Sequence, residues 1–80
     1  HPVGRVKTET VLMCMPGGEN VMQLSADTYV HVLGERDGWL HVILPREKLT
    51  WQTDWEGTYG FVKAEDMAVG ISKTDAQYKQ

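Results

Sequence analysis

In the stretch from Val30 to Leu44, VHVLGERDGWLHVIL, two alternating apolar runs flank a charged tetrapeptide that ends in glycine. Successive side chains of a strand point to opposite faces, so Val30 and Val32 share one side, and Leu40, Val42 and Leu44 share one side of the next run. The two runs make one hairpin. Asp37-Gly38 suits a three-residue loop, with Arg36 and Asp37 in a type I turn and Gly38 in the left-handed conformation that side chains resist. That register sets Val32 across from Val42 and Glu35 across from Trp39. The apolar faces then coincide, whereas a slip of one residue would bring Val32 beside His41 and break the face.

A chain of 80 residues carrying this hairpin makes one domain at most, with a small core. Its one cysteine, Cys14, cannot form an internal bridge, so no disulfide framework supports it. No apolar run approaches the roughly 18 residues of a membrane span. The eight Lys and Arg are scattered and the formal charge is -3, so the electrostatic footprint of a phosphate-neutralising protein is missing and nucleic acid is not expected as a partner. The start, HPVGRVKTE, lacks a basic segment followed by an apolar one, which reads as an excised domain or mature fragment.

Around the hairpin, the sequence offers further short runs. In TVLMCMP, Val11, Met13 and Met15 share one parity and Leu12 and Cys14 the other; PGGEN then signals a turn, and NVMQL follows as a short apolar segment. The piece PREKLTWQTDWEG is ambiguous, because Trp51 and Trp55, four apart, align on a helical turn and equally on one face of a strand. TYGFVKAEDMAV resumes as a strand through Tyr59 and Phe61, then a short helical or 3₁₀ turn around Ala64 to Met67. Residues 1–5 read as linker and 68–80 as linker or tail. Short strands, frequent turns and no long amphipathic helix give an all-β chain and a small antiparallel barrel of five to seven strands, in which closure removes exposed edges.

The order TVLMCMPGGENVMQL, TYVHVLGERDGWLHV, GTYGFVKAEDM resembles the bacterial SH3 domain, most specifically in Gly38-Trp39 paired with Gly60-Phe61-Val62. The resemblance spans residues 6–67 and implies an SH3-like barrel. The glycine usual before the second long strand of the family is replaced near Asp27, and the segment from Pro45 to Glu56 is longer than the family's connection. Bacterial SH3 domains commonly sit beside cell-wall hydrolases, so the resemblance implies a non-catalytic binding or targeting module in the cell envelope or outside the cell, contacting peptidoglycan or its peptides. A structural role is the alternative, in which the domain packs against a neighbouring cell-wall peptidase domain and shapes its active site.

The residues themselves suggest no enzyme and no cofactor. Cys14 could pair with His31 or His41 as nucleophile and base, but no nucleophile motif surrounds it, and it reads as an inert, partly buried thiol. His31 and His41 share a parity, yet zinc needs three or four ligands and no third is fixed by spacing, so both read as solvent-facing imidazoles. Glu65 and Asp66 read as polar turn residues. The ligand-binding candidates are aromatic: Trp39, Trp51, Trp55 and Tyr59, since tryptophan concentrates binding energy. Trp39 has the parity of His41 and Ile43, which sets it on the outer face of the hairpin, and the segment from Pro45 to Glu56 is expected to cover it in part while Trp51 or Trp55 stays accessible.

Overall fold

The computed structural model describes residues 2–45 and 57–71, and these form an all-β structure. The strands are β1 (Val3–Val6), β2 (Thr10–Met13), β3 (Asn20–Leu24), β4 (Tyr29–Arg36), β5 (Trp39–Pro45), β6 (Gly57–Lys63) and β7 (Met67–Ile71), with a 3₁₀ turn at Ala64–Asp66 before the last. They build one sheet in the order β3-β2-β6-β5-β4-β1-β7, every pair antiparallel.

One apolar cluster draws on all seven strands: Val6, Leu12, Leu24, Val30, Val32, Leu40, Val42, Val62 and Met67. In a flat sheet the end strands would lie about 29 Å apart, six spacings of about 4.8 Å. Leu24 of β3 and Met67 of β7 nevertheless belong to the same cluster, so the sheet curls over its core. The end strands β3 and β7 are not hydrogen-bonded to one another, and the sheet is open rather than closed.

The hairpin departs from the expected register in an instructive way. Val32 does pair with Val42, but nearer the tip the partners are Gly34 with His41, Glu35 with Leu40 and Arg36 with Trp39, so Glu35 does not face Trp39. The loop has two residues, Asp37 and Gly38, at φ 53° and 84°. Positive φ at both positions is the type I′ turn, whose twist matches that of the strands. A two-residue loop run straight down the ladder would set inward Val32 against outward Ile43. The register shift between Val32 and Gly34 inserts Leu33 as a bulge and restores face to face pairing.

Gly38 takes the positive φ that the sequence suggests. Gly38→Val is expected to lower stability by about 1 kcal/mol or more, because a β-branched residue resists that conformation. An unchanged urea midpoint would contradict the turn.

The described residues extend the sheet at both of their outer limits. Of the residues read as linker, Val3–Arg5 lie in β1 and Ala68–Ile71 in β7, and Val3 is fully buried. Gly4 and Arg5 interrupt the apolar alternation of β1, which hides it from a periodicity reading. Asp27 has φ 68° and donates its backbone N–H to the Val6 carbonyl at 2.8 Å. Its carboxylate accepts from Arg5 at 3.0 Å. The 3₁₀ turn lies where expected, and Asp66 accepts from the Thr10 hydroxyl at 2.7 Å.

His31 is a correction. Rather than facing solvent it is fully buried, in a row with Val3 and Ile43, its cross-strand neighbours. Tyr29, of the same parity, is also buried. The first four residues of β4 are therefore covered on both faces, and alternation assigns only one of those faces to the core.

Candidate functional site

The outer face of β4, β5 and β6 carries an aromatic band. Antiparallel pairing sets Trp39 opposite Lys63, His41 opposite Phe61 and Ile43 opposite Tyr59. Opposed residues share a face, so Trp39, the His41-Phe61 pair and Tyr59 follow one another along it. His41 stacks on Phe61 with ring centroids 4.6 Å apart and planes 11° from parallel. Tyr59 lies tilted beyond, its centroid 6.3 Å from His41, and is half exposed.

On the Trp39 side of the band is an open groove of about 620 Å³, lined by Pro16, Gly34, Trp39, His41 and Phe61, with Glu35, Arg36 and Asp37 from the hairpin tip. Its existence depends on the bulge. By displacing Leu33, the shift sets Gly34 beside His41, and a Cβ at Gly34 would meet nothing within 4 Å. The floor is bare because the neighbouring strand contributes no side chain there.

The tip that holds Trp39 is anchored. The Ala64 N–H donates to the Gly38 carbonyl at 2.8 Å, tying the turn to the chain that leaves β6. Trp39 is half-buried, and it also lines a smaller hollow with Gly38, Lys63, Ala64 and Glu65. Pro16 comes from the turn between β2 and β3, where the Gly18 N–H donates to the Met15 carbonyl at 2.9 Å.

Of the four aromatic candidates, Trp39 and Tyr59 lie on one face at opposite ends of the band, with only Trp39 in the groove. Trp51 and Trp55 lie outside the described residues. Sequence reasoning missed His41 and Phe61, which form the middle of the band, and Gly34, which uncovers it. The parity of Trp39 and His41 was the available signal; the pairing of β5 with β6 that adds Phe61 is a long-range register no local pattern gives. Tyr59, nearest in parity to Phe61, is the rim of the band rather than its floor.

No group of three or more His, Cys, Asp or Glu among the described residues is arranged to hold a metal ion. Cys14, expected to be partly buried, is exposed instead. The β2 strand ends at Met13, after a register shift, and the Cys14 N–H donates into the turn at the Glu19 carbonyl. No helix among the described residues is long and apolar enough to cross a membrane. Compared with family models, curated proteins and solved structures, the chain matches none.

Proposed function

We propose that this chain is a non-catalytic binding module of the bacterial cell envelope, built as an SH3-like barrel, and that its outer-face groove contacts peptidoglycan or its peptides outside the cytoplasm. The curled sheet over a single core and the Gly38-Trp39 and Gly60-Phe61-Val62 elements support the barrel reading. The observation that carries the functional reading is the groove with its half-buried aromatic floor, Trp39, His41 and Phe61. An extended peptide suits such a surface, because its side chains gain apolar contact from rings that are already held in place.

Co-sedimentation with purified peptidoglycan tests this. The chain is expected to pellet, and Gly34→Leu, which sends a side chain over His41 into open space, is expected to weaken binding about tenfold or more. Wild-type protein that stays in the supernatant would remove the cell-wall ligand.

A second reading has its own support. Val21 and Met22 on the edge strand β3, and Val69 on the edge strand β7, are exposed. Exposed apolar side chains on sheet edges favour packing against a neighbouring peptidase domain. Under that reading the chain ignores peptidoglycan and binds the purified peptidase domain, and Met22→Lys abolishes the contact.

A further inference from the structure

We infer that the outer face holds the free C-terminal carboxylate of a peptide at the row Arg36, Trp39 and Lys63, with apolar side chains of the residues before it on the His41 and Phe61 rings. This rests on the peptide-binding reading above and narrows it to a chain end. Pairing sets Arg36 opposite Trp39 and Trp39 opposite Lys63, so the indole has a cation on the neighbouring strand at either flank. Opposed residues share a face. The next row along that face is Gly34, His41 and Phe61, two residues or about 6.8 Å away. Arg36 and Lys63 stand two strand spacings apart, about 10 Å, and their long side chains can both reach an anion above the indole.

The nearby acidic residues lie off this row. Glu35 borders the groove but pairs with Leu40, so its side chain points to the opposite face, where it lines a separate hollow with Pro2, Val32 and Val69. Asp37 sits in the turn beyond the row and meets Arg36 at Nε, 3.7 Å from Oδ2, with both side chains almost fully exposed. An exposed pair of this kind is worth little, and it leaves the guanidinium further N–H donors for a carboxylate. Glu65 follows in the 3₁₀ turn, also beyond the row. The position of the row favours a chain end. β4 ends at Arg36, β5 begins at Trp39 and β6 ends at Lys63, so the floor stops there on all three strands. A peptide running past it would meet the Asp37 and Glu65 carboxylates, whereas one that ends on it brings the charge the two cations favour. The bare backbone at Gly34 leaves the preceding side chain room above His41 and Phe61.

Acetyl-Ala-Leu-Ala with a free carboxylate, the same peptide amidated, and amidated acetyl-Ala-Leu-Glu test the inference against the full 80-residue chain, with the Trp39 indole and the His41 and Phe61 rings followed by NMR. The free acid is expected to bind about fivefold to tenfold more tightly than its amide at low salt, and the difference should shrink as salt rises. Arg36→Gln combined with Lys63→Gln should bring the free acid to the amide level and leave the amide unchanged. Equal affinity of acid and amide, or an acid preference that survives the double substitution, overturns the carboxylate site. A glutamate amide that binds as tightly as the free acid overturns the chain end. The groove reading survives either result if the amide still shifts the ring resonances and Gly34→Leu removes those shifts. Failure of all three peptides to move them overturns both.

Discussion

Gly60→Val is expected to unfold most of the protein, with a loss of about 3 kcal/mol or more. Gly60 is buried where β6 passes β2, and a Cβ there would lie 2.7 Å from the Leu12 Cγ and 2.7 Å from the Met13 carbonyl oxygen. Leu12 is fully buried, and the Met13 oxygen belongs to backbone that pairs with Phe61. Neither can retreat without opening the core or the β2–β6 pairing. A single small core rarely supplies more than about 3 to 5 kcal/mol, so a loss of this size leaves little folded protein. Urea denaturation of the variant checks it, and a midpoint within experimental error of the parent would contradict the close approach.

Leu12→Ala follows from the same contact. Removing a fully buried leucine from the shared cluster is expected to cost about 3 kcal/mol, the lost transfer energy plus a cavity. The informative variant is the double one. Gly60→Ala alone presses its methyl against Leu12, whereas beside Leu12→Ala two of the three nearest atoms are gone and the methyl fills part of the cavity. The double variant is expected to be at least about 1 kcal/mol more stable than the sum of the single losses predicts. Strict additivity in chemical denaturation would mean that the two residues do not share space.

The hairpin illustrates what local pattern reveals. The alternation of Val30, Val32, Leu40 and Val42 identified the inner face, and Val32 does pair with Val42. The loop length was misread because a three-residue turn satisfied that pairing without irregularity. The chain meets two demands at once, the type I′ turn favoured by Asp-Gly and the coincidence of apolar faces, by inserting Leu33 as a bulge. No periodicity argument distinguishes these solutions, since both keep the faces aligned.

Elements defined by distant partners were hidden for a different reason. β1 owes its strand to pairing with β4 and β7, not to its own VGRV pattern, and burial of His31 follows from β4 being covered twice. The candidate site divides the same way. Trp39 was legible from composition and parity, but the floor beside it needs the β5–β6 register and a glycine opposite His41, both products of the folded sheet.

The groove as a binding site is tested most directly by mapping chemical-shift changes in the full chain as soluble peptidoglycan fragments are added. The largest changes are expected at the Trp39 indole, the His41 and Phe61 rings and the Gly34 amide, and Gly34→Leu should abolish them while leaving stability within about 0.5 kcal/mol. Changes confined to Val21 and Met22 on β3, or undiminished binding by Gly34→Leu, would contradict the assignment of the groove.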